Sequence, residues 1–337
     1  MTPGANVQKD PVKVVYVMGY GRSGSTFLDV LLGGHSDVAS MGELALYAEW
    51  RSLDLPCGCG ESVTTCEFWS EVERLAPTGD PNDEIALALS VEARRHIGDL
   101  LQGRIDAQTL SRYSTLLEGR FRAIAEVSGR GHVVDSSKSA GKILGRAYAL
   151  QRHTDLDVRV IHLVRDGRGV LWSALKGPGR GEPLPVYRAK VHKNRIMMAM
   201  RVSAAWALAN RSTLKVAKHL ATGTLLTVRY EDLVADPAAE LTRIGGFLGL
   251  DLAPVITKLA EGVPFDGQHG VAGNRLRANA RINLRPDFEW ETKLSLRYRL
   301  IQNLIAGRVS RELGYPATPG GASDAGPVEA AVGRPSA

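Results

Sequence analysis

Residues 12–26 constrain the fold of this chain more than any other segment. A β-branched, apolar run containing Val12, Val14, Val15, Tyr16, Val17 and Met18 reads as a strand buried on both faces of a parallel sheet. Glycines follow at once, at Gly19, Gly21 and Gly24. Then Phe27, Leu28, Val30, Leu31 and Leu32 recur as a packed helix requires, and Gly33 and Gly34 end it. Strand, glycine-rich loop and helix in that order make a phosphate cradle, because the unpaired N–H groups and dipole of a helix N-terminus attract anions.

The rest of the chain repeats the theme. Further strands are expected at residues 131–135, 158–164 and 224–230, the first two followed by helix-compatible stretches. Such alternation indicates βαβ units, hence an α/β fold with a P-loop-type central parallel sheet flanked by helices. Apolar residues at helical spacing over about 84–128 indicate a helical insertion between the first strand and the one at 131–135. Helices are also expected over 187–220 and 294–313, the latter stopped by Gly314 and Pro316. The expected organisation is a flexible N-terminus at 1–11, one domain at 12–316, and a disordered tail at 317–337 rich in Gly, Ala, Pro and Ser. No internal repeat is present.

Composition narrows the function. With 337 residues, 44% of them hydrophobic and 23% charged, the body has enough apolar surface for a core, which excludes disorder there. A net charge of +6 and a pI near 9.3 favour anionic ligands. The basic residues are dispersed, however, and no helix-turn-helix, zinc-finger or aromatic RNA-binding signature accompanies them, so no nucleic-acid partner is expected. Residues 1–10 carry no apolar leader and no stretch is long and uncharged enough to span a bilayer, so a soluble, cytoplasmic protein is expected. Cys57, Cys59 and Cys66 are too few to pair completely, and no fourth metal ligand is evident beside them. They read as free thiols in a glycine-rich flap, and no metal site is assigned.

The loop itself discriminates between ligands. Gly19 and Gly24 occupy the glycine positions of G-x-x-x-x-G-K-[ST], but Ser25 stands where the lysine belongs and Thr26 follows. That lysine neutralises the β- and γ-phosphates of a nucleoside triphosphate, so its loss favours a donor with a single 5′-phosphate. Arg22 offers a planar fork for two phosphate or sulfate oxygens. Ser23, Ser25 and Thr26 add hydroxyl donors. Taken alone, the glycine spacing leaves a kinase or NTPase open.

Residues 22–26 resemble the 5′-phosphosulfate loop of the sulfotransferases that use 3′-phosphoadenosine 5′-phosphosulfate (PAPS), which often reads Arg-Ser-Gly-[Ser/Thr]-[Ser/Thr]. In that family a second motif opens with an arginine at a strand end and closes with a serine two helical turns on. Arg165 and Ser173 match it, and the resemblance implies that they hold the 3′-phosphate of the donor. Residues 228–233 resemble the family's Tyr-Glu-Asp segment, which implies that Tyr230 lies against the adenosine. Residues 269–277 fall where the family closes a loop over the nucleotide, with Arg277 as the implied contact. This stretch departs from the pattern of the cytosolic enzymes and looks more like bacterial, tyrosylprotein-type and carbohydrate-type members.

The resemblance also implies the chemistry. Sulfuryl transfer to a hydroxyl needs a base for the acceptor proton and a cation for charge on the bridging oxygen. Glu43, in a Gly-Glu pair beyond the first helix, is the implied base, with His35 and Asp135 as competitors. His35, at a Gly-Gly-His helix end, reads better as a cap. Lys138, after the strand at 131–135, is the implied cation, with Arg22 as a further catalytic group. The expected function is therefore transfer of a sulfuryl group from PAPS to a hydroxyl of a small metabolite, glycolipid or saccharide, with no metal required. A P-loop kinase or NTPase and a nucleotide-binding protein without turnover are the alternatives.

Overall fold

The computed structural model of the chain describes residues 11–139, 141–176, 194–265, 268–273 and 287–316. The termini expected to be flexible, apart from residue 11, lie outside these residues. Five strands form one sheet: β1 (Lys13–Gly19), β2 (Val38–Ser40), β3 (His132–Asp135), β4 (Asp157–Val164) and β5 (Leu225–Arg229). Their spatial order is β2-β3-β1-β4-β5, and every pairing is parallel. β1 thus lies at the centre. The loop that leaves its carboxyl end emerges where the chain turns to opposite sides of the sheet, the usual place for a ligand in an open α/β fold.

The alternation of β1 explains its composition. Val14, Tyr16 and Met18 point to one face and Val15 and Val17 to the other, and all are buried. The first set packs with Trp50, Trp69, Tyr113 and Phe121, from the helices between β2 and β3. The second packs with Phe27, Leu28 and Leu31 of α1 (Ser25–Gly33) and with Leu241 and Ile244 of the helix Pro237–Leu248. A strand sandwiched in this way has no polar face to show, so it reads as a continuous apolar run.

β2 has only three residues, too few for a strand signature, and the four-strand expectation lacks it. Its place is set by pairing with β3 and by Gln268, whose amide donates to the carbonyls of Gly33 and Val38 and accepts the Ser40 N–H. Helices between β2 and β3 begin as early as Tyr47–Ser52 and include Pro81–Glu92 and Ala107–Ser128. Asp80 caps the second of these three, which has Pro81 in its first turn; Asp106 caps the third, which Gly129 ends at φ 64°. The expected helix over 187–220 is described as Arg195–Ala217, capped by Asn194, and the C-terminal one as Leu296–Glu312. Among the described residues no helix is long and apolar enough to cross a membrane.

Candidate active site

The carboxyl ends of the strands build the site. β1 runs into Gly19, at φ 138°, where an added Cβ would lie 2.3 Å from the carbonyl oxygen of Leu163 on β4. Gly24, at φ 92°, immediately precedes α1, and a Cβ there would lie 2.6 Å from the ring of Tyr230. Only glycine allows the loop to lie this close to both neighbours. The Leu28 N–H donates to the Gly24 carbonyl at 3.0 Å, and the N–H groups ahead of it have no intrahelical carbonyl to reach. Ser23 is buried, and its Oγ has no partner among the described residues. Such an orphan costs about 1–3 kcal/mol, so the loop is arranged to meet a polar ligand.

The second motif meets the loop directly. Arg22 donates from Nη1 to the carbonyl and the Oγ of Ser173, both at 3.2 Å. Arg165, buried at the end of β4, donates to the Arg22 carbonyl at 3.2 Å and lies 4.3 Å from the centre of the Tyr230 ring. Tyr230 opens a helix (Tyr230–Ala235) and does not end the strand as the sequence suggested. Burial pushes its phenol up from the ordinary value, against the lowering pull of Arg165, so it is a neutral ring at physiological pH. Arg22, Gly24, Arg165, Ser173 and Tyr230 form one continuous cluster.

Arg165 is not half of a local Arg-Asp salt bridge. Asp166 caps the helix Gly167–Leu175 and pairs with Arg168 at 2.6 Å. The partner of Arg165 is Asp287, which offers its carbonyl at 3.0 Å and its carboxylate at 3.1 Å. Nothing in the sequence pattern singles out Asp287, because 122 residues separate it from Arg165.

Glu43 and Lys138 also meet. The Lys138 Nζ lies 2.5 Å from Glu43 Oε1, and their side chains are only 16% and 9% exposed. Neither is a solvated loop charge. Lys138 sits in the left-handed region at φ 73°, which costs a residue with a side chain about 1–2 kcal/mol. Its turn is held against this strain: the Lys138 N–H donates to the Val17 carbonyl at 3.0 Å, and the Tyr16 hydroxyl donates to the Lys138 carbonyl. The next residue, Ser139, exchanges bonds with Gly19 through its N–H and its Oγ, both at 3.0 Å. The pair is therefore fastened to the foot of the glycine loop. Glu43 is placed from the other side, by its N–H donating to Val271 at 2.9 Å and by the Gly42 carbonyl accepting the Ser136 N–H at 2.6 Å.

The two competitors for the base are placed elsewhere. Asp135 is completely buried, with one oxygen taken by the N–H and hydroxyl of Ser137 and the other by Arg146 at 2.9 Å. It has no oxygen left for an acceptor. His35 lies at the far end of α1, where its backbone N–H donates to the Leu32 carbonyl at 3.0 Å and the imidazole Nδ1 accepts the Asp37 N–H at 3.1 Å; among the described residues the ring caps no carbonyl. Arg277 lies outside the described residues. Of the stretch around it, residues 268–273 reach β2 and the loop of Glu43.

A family model described as "Sulfotransferase family" matches residues 156–254. Carbohydrate sulfotransferase 6 of Homo sapiens is 29% identical over 326 residues, covering 89% of this chain and 80% of the relative. The chain is therefore similar to the sulfotransferase family, over residues 156–254 by the family model and over most of its length by the human relative. Among solved structures, the sulfotransferase domain from the curacin biosynthetic pathway shares its fold, at 23% identity and a TM-score of 0.51, over 90% of this chain and 98% of that one. Arg165, Ser173 and Tyr230 fall inside the segment the family model matches, whereas the glycine loop, Glu43 and Lys138 precede it. Contact across the sheet, and not proximity in sequence, joins the two parts. Ser139 and Gln268 are site-building residues that sequence reasoning missed, since a lone hydroxyl and a lone amide carry no pattern.

Proposed function

We propose that this protein transfers the sulfuryl group of PAPS to a hydroxyl of a small metabolite, glycolipid or saccharide. The observation that carries the reading is the contact between Arg22 of the glycine loop and Ser173 of the second motif, with Arg165 and Tyr230 beside them. The residues fit such a donor: Ser23 has a buried hydroxyl with no partner among the described residues, and Gly24 lets the Tyr230 ring lie against the start of α1. In this reading the 5′-phosphosulfate is held by Arg22, Ser23, Gly24, Ser25 and Thr26. The 3′-phosphate is held by Arg165 and Ser173, and the adenosine by Tyr230 and Arg277. When bound, PAPS supplies the sulfuryl group to be transferred.

The chain's own residues handle the proton and the charge. Glu43 takes the acceptor's proton as the acceptor oxygen bonds to sulfur. Lys138, which has three donors and uses one on Glu43, neutralises the bridging oxygen as its bond to sulfur breaks; Arg22 shares that charge. The word "carbohydrate" in the human relative's name favours a saccharide hydroxyl among the acceptors.

Isothermal titration tests the donor. Adenosine 3′,5′-bisphosphate should bind at least about tenfold more tightly than ATP or AMP, a difference of about 1.4 kcal/mol. Equal or tighter binding of Mg-ATP would favour the kinase reading, against which Ser25 in the lysine position already stands. Turnover of isotopically labelled donor then distinguishes an enzyme from a binding protein.

Asp287 gives a second test, because its carboxylate competes for Arg165 with the proposed 3′-phosphate. Removing one like charge a few ångströms away is worth about 1 kcal/mol in a largely hydrated setting. Asp287→Asn should thus tighten adenosine 3′,5′-bisphosphate binding about fivefold. Unchanged affinity would mean that the phosphate is held elsewhere.

A further inference from the structure

Outside the donor site, the three cysteines are joined by a fourth ligand that no local spacing could reveal. His269 is 203 residues beyond Cys66, yet its Nδ1 lies 3.2 Å from Cys66 Sγ and 3.9 Å from Cys57 Sγ. Cys59 Sγ is 3.6 Å from Cys66 Sγ, and all four atoms lie within 4.8 Å of one another. A tetrahedral zinc, with Zn–S of about 2.3 Å and Zn–N of about 2.0–2.1 Å, sets its sulfurs about 3.8 Å apart and sulfur from nitrogen about 3.6 Å apart. The observed separations bracket those values. They are far longer than the roughly 2.05 Å of a disulfide.

The surroundings hold these groups in place. The Cys57 N–H donates to Glu61 at 2.8 Å and the Gly60 N–H donates back to Cys57 at 3.0 Å, so the Cys57-Gly58-Cys59 turn is closed on itself. Gly58 lets that turn touch the histidine segment: a Cβ there would lie 2.1 Å from the Gln268 carbonyl, and its N–H donates to Gly270 at 2.9 Å. Cys66 immediately precedes the helix Glu67–Leu75. Two side chains of that helix orient His269. The Phe68 ring stacks on the imidazole at 4.6 Å and 5°, and the Trp69 indole N–H donates to the His269 carbonyl at 2.8 Å. Cys57 and Cys66 are buried, Cys59 is exposed, and His269 is half-buried, so an ion would be shielded yet within reach of solvent.

We propose that Cys57, Cys59, Cys66 and His269 form a structural zinc site that clips the cysteine loop to residues 268–271. Three thiolates and one imidazole suit a closed tetrahedral zinc, which leaves no coordination position for chemistry. The clip bears on the active site through the backbone. Val271, two residues past His269, donates to Met41 and accepts from Glu43, both at 2.9 Å, and it forms a bridge with Gly42. Holding the histidine segment therefore holds the Glu43 loop, and His269 is a positioning residue in this respect.

Native mass spectrometry and elemental analysis of the purified full chain should find one zinc per molecule, retained through dialysis. Stripping it with a chelator should lower the unfolding midpoint, and added Zn²⁺ alone should restore it. Co²⁺ loaded in its place should show the strong visible absorption of a tetrahedral thiolate site. Cys66→Ser and His269→Ala should each abolish retention. Because Cys66 is buried and His269 half-buried, Cys59→Ser at the exposed ligand is the decisive variant. It should stay folded and bind Zn²⁺ more than about 100-fold more weakly, beyond the range lost when only an outer-shell partner is removed. None of these readouts requires turnover or donor binding. The proposal is overturned by a folded protein with three titratable thiols and no retained zinc, by a Cys59–Cys66 disulfide seen as a 2 Da mass deficit, or by unchanged zinc affinity in Cys59→Ser.

Discussion

Replacement of Glu43 by Gln is expected to lower kcat about 10²- to 10⁴-fold, the range for loss of a general base, while affinity for adenosine 3′,5′-bisphosphate stays within about twofold. The split follows from the contacts. Glu43 bonds to Lys138 and to the backbone of Val271, whereas the proposed donor site is the cluster of Arg22, Gly24, Arg165, Ser173 and Tyr230. The amide keeps the shape and one oxygen to accept from Lys138, so the ion pair becomes a charged hydrogen bond, worth about 1.5–3 kcal/mol in its own right. Loss of stability should then fall short of the roughly 3–5 kcal/mol lost when a buried charge is left alone. What the amide cannot do is take a proton. Single-turnover kinetics at saturating acceptor isolate that step. Full turnover by folded Glu43→Gln would remove Glu43 from the chemistry, and a parallel loss of donor affinity would reassign it to binding.

Much of this arrangement was legible in the sequence, for physical reasons that differ from residue to residue. β1 announced itself because a central parallel strand must be apolar on both faces, and Gly19 and Gly24 because no other residue fits against Leu163 and Tyr230. Arg165 and Ser173 were readable as a pair only through the resemblance to a family motif that joins a strand end to the helix after it. β2 was not readable, since three residues make no period, and its position is decided by β3 and Gln268. Asp135 looked like a spare carboxylate at a strand end, and only its partners Ser137 and Arg146 disclose that it is occupied. His269 was read with the nucleotide loop and turned out to stand among the cysteines, because the tertiary bridge between Gly42 and Val271 carries its segment there. Contacts between residues distant in the chain leave no mark on local pattern.

The strongest effect on the fold itself is expected at Arg146, which is 2% exposed and holds two buried carboxylates at once, Asp135 at 2.9 Å and Glu92 at 2.7 Å. Arg146→Met fits the volume but leaves both without a cation, which should cost about 3–5 kcal/mol. Tyr113, whose hydroxyl donates to Glu92 at 2.5 Å, retains only part of the network. The loss should depend on pH in a definite sense. Burial already raises the Glu92 carboxyl above its ordinary value, and Arg146 is the largest influence pulling it down. A carboxyl whose folded-state pKa exceeds its unfolded one binds more protons in the folded protein, so this group's contribution to stability declines as pH rises from the ordinary carboxylate range through the folded pKa. Removing the guanidinium raises the folded pKa further and carries that decline to higher pH. Urea unfolding should therefore show a wider gap between variant and wild type at about pH 8 than at about pH 5. Activity should fall with stability, because Asp135 also fixes Ser137, whose Oγ accepts the Ala45 N–H at 2.9 Å between the Glu43 loop and the Lys138 turn. A gap independent of pH would mean that Glu92 stays neutral beside the cation in the wild type. The rigidity of the Glu43–Lys138 pair would then rest on packing and backbone bonds alone.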